Sequence, residues 1–129
     1  MKLILILLAS IYTASCEFDM NKLTATNVWN NVLAKIVEEN SDVDEVFVSN
    51  FNYTICNGKT FDRSYFVKKA KDEYTDLKVD IAHELDCATI RCDGDTDILQ
   101  FVVTGAKGTL TVRANKFGHK LRTIECKKP

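Results

Sequence analysis

The last third of the chain constrains the fold most, because it predicts three consecutive β-strands. Residues 98–104, 109–114 and 120–126 are rich in β-branched and aromatic residues, and short glycine-containing segments separate them. An antiparallel meander of this kind leaves one apolar face in contact with water unless other elements pack on it. We therefore expect helices encoded earlier in the chain to cover that face.

The first residues have the order of a secretory signal peptide. Lys2 precedes an apolar run over residues 3–9, and small and polar residues follow it up to Cys16. The run is too short to cross a bilayer, which takes about 20 apolar residues. We predict that residues 1–16 are removed and that residues 17–129 form one secreted, extracellular domain. A buried N-terminal helix or strand and a lipid-attached Cys16 are the alternatives.

Four cysteines remain in the predicted mature chain: Cys56, Cys87, Cys92 and Cys126. An even number in a chain bound for an oxidising compartment favours two disulfides. If residues 87–92 form one extended strand, its two sulfurs lie about 16 Å apart at about 3.3 Å per residue, and each pairs with one of the outer cysteines. If a turn interrupts that strand, the two inner cysteines pair together and so do the outer two. A metal site is disfavoured, because the chain has no Cys-x-x-Cys and only two histidines.

Two amphipathic helices are predicted in the first half of the mature chain. The first begins near Asn21 or Thr24, and its apolar residues recur in pairs spaced by four. The second begins after Asp62 and carries Phe66 on its apolar face. Trp29 is the largest side chain on the first apolar stripe, so we expect it in the core, with ligand stacking as the alternative.

A strand over residues 45–53 carries a glycosylation signal. Its aromatic residues alternate onto one face, while Asn50 and Asn52 share the other. Asn52 begins an Asn-x-Thr triplet, and the predicted outward direction is what N-glycosylation requires.

A second strand is predicted over residues 77–84, and it carries the one histidine of interest. Strict alternation places Ile81 and His83 together on the apolar face. His83 is then either a general base or a ligand-orienting group, or a histidine at the edge of the core bonded to a backbone carbonyl. The core-edge role is favoured.

The distribution of charge differs between the two parts of the chain. The net charge of −1 argues against nucleic-acid binding, yet residues 17–97 hold 17 acidic and 9 basic residues while residues 98–129 hold 1 acidic and 7 basic. The last strands therefore carry a predicted basic surface, made of Arg113, Lys116, Lys120 and Arg122. It either attracts a sulfated polysaccharide or an acidic partner, or it protects an exposed sheet edge from aggregation. We expect edge protection.

The order of these elements resembles the small secreted proteins of the nuclear-transport-factor-2-like superfamily, which includes the SnoaL-like cyclases and ketosteroid isomerase. The similarity covers most of the mature chain, including Cys-Asn-Gly-Lys at residues 56–59 and Asn-Lys-Phe-Gly-His-Lys-Leu at residues 115–121. It implies an α+β fold in which a strongly curved antiparallel sheet of five or six strands wraps two main helices into a cone. The open end of such a cone holds a small molecule, and the candidate lining residues are Trp29, Phe66, Ile81 and His83.

Two classes of function follow from the residues and the resemblance. The favoured class is non-catalytic binding of a small apolar molecule or an extracellular protein, without a cofactor. The alternative is a cofactor-free isomerase or dehydratase in which His83 transfers a proton. No aspartate is placed as an isomerase base, since Asp80 and Asp86 fall on or near the outward face. A cystatin-type protease inhibitor is a third possibility, but the Gln-Phe-Val-Val-Thr-Gly segment at residues 100–105 is one residue too long for the inhibitory loop.

Overall fold

The computed structural model of the chain describes residues 19–38, 41–85 and 97–127. The predicted signal peptide, Cys87 and Cys92 lie outside the described residues. The elements are α1 (Met20–Val37), a 3-10 helix (Ser41–Val46), β1 (Phe47–Thr54), β2 (Thr60–Phe61), α2 (Arg63–Glu73), β3 (Lys78–Leu85), β4 (Ile98–Gly105), β5 (Gly108–Asn115) and β6 (Leu121–Lys127). In these residues, no helix combines the length and apolar character needed to cross a membrane.

Aspartate side chains start both main helices. The Asp62 carboxylate accepts a hydrogen bond from the Tyr65 backbone N–H at 3.0 Å, which confirms the predicted start of α2. Asp19 does the same for α1 by accepting from the Lys22 N–H at 3.0 Å. The predicted caps of α1, Asn21 and Thr24, are therefore wrong, because the helix begins at Met20, one turn before the buried apolar stripe.

The six strands form one sheet in the order β2-β1-β6-β5-β4-β3. The predicted meander is confirmed, since β4, β5 and β6 are antiparallel neighbours. However, β1 pairs parallel with β6, so the sheet is mixed and the prediction of an antiparallel sheet is wrong for this pair. The expected α+β fold with two main helices and five or six strands is confirmed.

Both helices pack on one face of this sheet. Val28, Trp29 and Phe66 belong to the same buried cluster as Phe101 and Val112 of the central strands. Ile98 and Val102 are also buried, but they lie outside that cluster on the opposite side of β4. The apolar face of the meander is therefore covered by helices, as expected, and no described helix covers the other face.

A disulfide joins Cys56 to Cys126 across a sequence separation of 70 residues. It links the turn after β1 to β6, the parallel neighbour of β1. This is the pairing expected if a turn interrupts residues 87–92. A disulfide fits an oxidising compartment.

Two buried tyrosines share a hydrogen bond inside the core. The hydroxyl oxygens of Tyr53 and Tyr74 are 2.6 Å apart, and both residues are buried. Burial raises the pKa of Tyr53 well above its ordinary value, and the hydrogen bond with Tyr74 raises it further. The folded state therefore favours the neutral phenol.

Alkaline pH is expected to destabilise the protein through Tyr53. Because the folded-state pKa of Tyr53 lies above the unfolded value of about 10, its contribution to stability is complete below that pH and is lost as the pH rises above it. At neutral pH, Tyr53→Phe should lower the free energy of unfolding by about 1–3 kcal/mol, because the Tyr74 hydroxyl is left buried without a partner. Urea unfolding measured between neutral pH and pH ~11 tests both effects.

The matched control is Tyr65→Phe, since Tyr65 is 39% exposed. It should change the free energy of unfolding by less than about 0.5 kcal/mol. The double variant Tyr53→Phe with Tyr74→Phe should cost less than the sum of the two single changes, because no hydroxyl remains unpaired. Additive costs would contradict the hydrogen bond.

Candidate functional site

The face of the sheet opposite the helices carries a row of polar side chains, and we call this face the outer face. The strand register sets His83 beside Gln100, and Gln100 beside Arg113. The row continues through Thr123 of β6 to Asn52 of β1. We call these five residues the polar row. It crosses every long strand of the sheet.

Hydrogen bonds connect one half of the polar row. Arg113 Nε donates to Gln100 Oε1 at 2.8 Å, and Gln100 Nε2 lies 3.2 Å from His83 Nε2. Since the amide oxygen of Gln100 accepts from Arg113, its NH₂ group donates to His83, whose own ring proton is then on Nδ1. Among the described residues, the terminal guanidinium nitrogens of Arg113 have no hydrogen-bond partner. They remain available to an anion.

One exposed apolar side chain, Ile81, lies beside the polar row. Ile81 is 52% exposed and pairs with Val102, which in turn pairs with Thr111. An exposed β-branched side chain next to a charged, hydrogen-bonded row is a surface of mixed character. Interfaces between proteins combine apolar and polar groups in this way.

Ile81 and His83 reach the outer face because β3 contains a bulge. Val79 pairs with Val103 and Ile81 with Val102, so Asp80 has no partner and the alternation shifts by one residue. The prediction that Ile81 and His83 lie on the apolar face is therefore wrong.

The four predicted pocket residues are not brought together. Trp29 and Phe66 are fully buried on the helix side of the sheet, while Ile81 and His83 are exposed on the outer face. The Trp29 indole donates to the Leu77 carbonyl at 3.0 Å. Phe66 is surrounded by aromatic rings at centroid distances of 5.2–6.2 Å, those of Phe47, Phe51, Tyr53 and Tyr74. These contacts make Trp29 and Phe66 part of the packed core.

The predicted basic surface divides into residues with different surroundings. Lys116 forms an ion pair with Glu84 at 2.8 Å, and this hydrogen bond raises the pKa of Lys116. Arg122 donates to Asn115 Oδ1 at 3.0 Å across the β5–β6 turn. Lys120 is exposed in that turn, and Arg113 is exposed on β5.

The position of β5 and β6 corrects the expected role of the basic surface. Both strands have neighbours on either side, and the sheet edges are β2 and β3. Edge protection therefore cannot explain Arg113 or Arg122, and that expectation is wrong. Arg113 is a residue of the outer face.

Among the described residues, the groups around His83 offer no partner for proton transfer. Gln100 is a carboxamide, and the guanidinium of Arg113 is a hydrogen-bond donor without an acceptor site. Within the described residues, no acid or base is hydrogen-bonded to His83. The arrangement can present hydrogen-bond donors and a positive charge to a partner.

Gln100, Thr111 and Thr123 were not among the predicted site residues. Gln100 and Phe101 are consecutive in β4, so their side chains lie on different faces of the sheet. This alternation could be seen in the sequence. Its placement between His83 and Arg113 depends on the register of three strands. Local patterns do not give that register.

No protein-family model matches the chain, and no curated protein matches it. Among solved structures, it is similar to a DUF4783 family protein from Bacteroides fragilis YCH46, with 17% sequence identity, a TM-score of 0.43, and coverage of 76% of this chain and 95% of that chain. It is also similar to a protein from work on an enumerative algorithm for de novo design of proteins with diverse pocket structures, with 10% identity, a TM-score of 0.33, and coverage of 77% and 93%. These TM-scores are too low for either structure to bear on function.

Proposed function

We propose that this chain is a secreted, non-catalytic binding domain that recognises an acidic extracellular protein through the outer face of its sheet. The observation that supports this most is the position of Arg113. Its guanidinium is held by Gln100 on a central strand of a face that no described helix covers. An exposed arginine fixed in this way presents the planar set of donors that suits a carboxylate.

Charge complementarity selects an acidic partner. The strand register places three basic residues on the outer face: Lys78, Arg113 and Lys127. It also places one acidic residue there, Glu125, which pairs with Thr111. Among the described residues, these register positions therefore carry more positive than negative charge, although the whole chain has a net charge of −1. Such a local excess of one sign attracts partners of the opposite sign.

The size and composition of the outer face suit a protein better than a polysaccharide. Five long strands of 7–8 residues cover about 26 Å by 24 Å, or roughly 600 Å² in projection. Side-chain relief adds to this area, and a standard interface takes about 800 Å² from each partner. Exposed Ile81 adds apolar surface that a sulfated polysaccharide would not use.

The other proposals have less support. A small apolar ligand between helices and sheet would have to displace Trp29 or Phe66, which are fully buried in the core. A His83-dependent enzyme lacks a second proton-exchanging group at the histidine within the described residues. A cystatin-type inhibitor would need a loop where residues 100–105 instead form part of β4, a strand with neighbours on both sides.

We also propose that the sheet has the cone shape of the nuclear-transport-factor-2-like superfamily. Register shifts in β1, β3 and β6 support it, because bulges bend strands and curve a sheet. Helices on one face of the sheet are also in accord with a sheet wrapped around them.

Glycosylation at Asn52 is also part of the proposal. Asn52 is half-buried in the polar row, and it is two strands away from Arg113, or about 10 Å at about 4.8 Å per strand. A glycan at Asn52 would cover the β1 side of the outer face. The partner would then contact mainly the strands from β3 to β6, which cover about 26 Å by 19 Å, or roughly 500 Å² in projection.

Arg113→Gln tests the proposed surface. With an oligomer of poly-L-glutamate as the probe, the dissociation constant should rise about three- to tenfold, because one exposed charge-assisted contact is lost. Calorimetric titration measures the affinity. Backbone amide shifts on the isotopically labelled chain should map the contact to Ile81, His83 and Gln100.

The matched control is Lys59→Gln, which removes the same charge from the exposed turn between β1 and β2. It should leave the affinity for poly-L-glutamate unchanged. Heparin oligosaccharide provides the comparison for a polysaccharide partner. Tighter binding to heparin than to poly-L-glutamate, or amide shifts away from the outer face, would contradict the proposal.

A further inference from the structure

A cleft of about 320 Å³ lies on the helix side of the molecule, apart from the outer face. Asn27, Asn31 and Lys35 line it from α1, where their spacing of four residues places them on one side of the helix. Glu45 of the 3-10 helix and His119 of the β5–β6 turn line the opposing walls. Five polar side chains from three separate elements therefore converge on one space.

These polar groups have no partners among the described residues. Neither Lys35 nor Glu45 takes part in an ion pair, and the side chains of Asn27, Asn31 and His119 make no hydrogen bonds there. Their hydrogen-bonding capacity is available to a ligand. Polar groups that converge on one space fix the orientation of a bound ligand in small-molecule sites.

The backbone conformation of His119, one of the lining residues, is unusual. Its φ angle is 57°, a left-handed conformation that only about a few per cent of residues other than glycine adopt. Gly118 before it has φ of 78°, so two consecutive left-handed residues direct the chain here. Such conformations concentrate at binding sites, where the surrounding structure holds them.

We propose that this cleft binds a free aliphatic α-amino acid. Lys35 and the amide groups of Asn27 and Asn31 bind its carboxylate, and Glu45 binds its ammonium group. The presence of both signs disfavours a phosphate, which Glu45 would repel. A volume near the lower end of the range of about 300–1,000 Å³ for ligand pockets suits a molecule of this size.

The base of the cleft accounts for the aliphatic side chain. Val28 and Val46 line the cleft and are 3% and 7% exposed, so they present a small apolar surface at the edge of the core. A branched aliphatic group placed on these valines would bury apolar surface. L-leucine is therefore the first probe.

Three probes of nearly equal shape separate the contributions of the two charges. L-leucine has both charged groups, 4-methylpentanoate lacks the ammonium, and 3-methylbutylamine lacks the carboxylate. Calorimetric titration should show L-leucine binding at least about tenfold more tightly than either analogue, because each lost contact involves a charged hydrogen bond. The side-chain amide signals of Asn27 and Asn31 should shift in a saturable way.

Two variants assign the two charges. Lys35→Gln should weaken L-leucine binding about tenfold and leave 3-methylbutylamine unaffected, whereas Glu45→Gln should weaken L-leucine and leave 4-methylpentanoate unaffected. Lys22→Gln, an exposed lysine on the same helix, is the matched control. Arg113→Gln should also leave L-leucine binding unchanged, which separates this site from the outer face.

The outcomes are distinct. Amide spectra of each variant show whether the fold is retained, which we expect because Lys35 is half-buried and Glu45 is exposed. Equal affinity for the three probes, or no saturable shift with L-leucine, would overturn the proposal. So would L-leucine affinities that remain unchanged in both folded variants.

Discussion

Replacing both Cys56 and Cys126 by alanine is expected to lower the free energy of unfolding by about 4 kcal/mol. The bridge closes a segment of 70 residues, and the chain-entropy estimate for a loop of that length is about 4 kcal/mol. This is a large part of the roughly 5–15 kcal/mol that stabilises a typical domain. Urea unfolding of the secreted double variant, compared with the oxidised parent protein, measures the change.

The location of this disulfide predicts which part of the structure opens first. Strand β1 contacts the rest of the sheet through β6, and β2 contacts it through β1. The disulfide is the covalent link at this junction. Amide hydrogen exchange in the double variant should therefore increase most in β1 and β2 and least in β4 and β5.

The remaining cysteines provide the control for this experiment. Since Cys56 is bonded to Cys126, Cys87 and Cys92 can only pair with each other inside the predicted mature chain. A loop this short gives a chain-entropy estimate of about 2 kcal/mol, so their replacement by alanine should have a smaller effect. Non-reducing peptide mapping should find both bridges and no Cys16. Two or more free thiols in the secreted protein would contradict this arrangement.

Local sequence signals predicted most of the elements. Asp62 caps α2 as expected because an aspartate before an amphipathic segment satisfies a free backbone N–H, whatever the tertiary structure. The meander was predictable for a similar reason: β4, β5 and β6 are consecutive, and short turns force neighbouring strands to pair.

Features that depend on distant contacts were not predicted. The parallel pairing of β1 with β6 joins segments that are separated in the chain by β2, α2, β3, β4 and β5, and neither contains a local signal for the other. The bulge at Asp80 reverses the faces of Ile81 and His83, although residues 77–84 alternate regularly in sequence. The pocket predicted from the sequence was misplaced for this reason. Because Asp80 is unpaired, His83 lies on the outer face and not on the core side.

Trp29→Ala is expected to lower the free energy of unfolding by about 3–5 kcal/mol. The side chain is fully buried, meets the Phe101 ring edge-on at a centroid distance of 6.5 Å, and donates to the Leu77 carbonyl. Its removal leaves a cavity between helix and sheet and an unpaired backbone oxygen. Urea unfolding with an unchanged denaturant slope would show that the native state alone was affected.

Trp29→Phe separates packing from hydrogen bonding at this position. Phenylalanine fills most of the space but cannot donate, so the cost should fall to about 1–3 kcal/mol, the penalty for leaving the Leu77 carbonyl unpaired. Ile81→Ala is the control from the same set of predicted pocket residues. Because Ile81 is 52% exposed, its replacement should change the free energy of unfolding by about 0.5 kcal/mol or less.

The contrast between Trp29 and Ile81 also tests the choice between an internal and an external binding surface. If Trp29 stacks on a ligand in an open cavity, Trp29→Ala should reduce ligand binding and cost less than about 1 kcal/mol of stability, because an open cavity already lacks packing partners. That result would restore a small apolar ligand as the leading function. A cost of 3–5 kcal/mol at Trp29, together with weaker poly-L-glutamate binding in Ile81→Ala, would instead place recognition on the outer face.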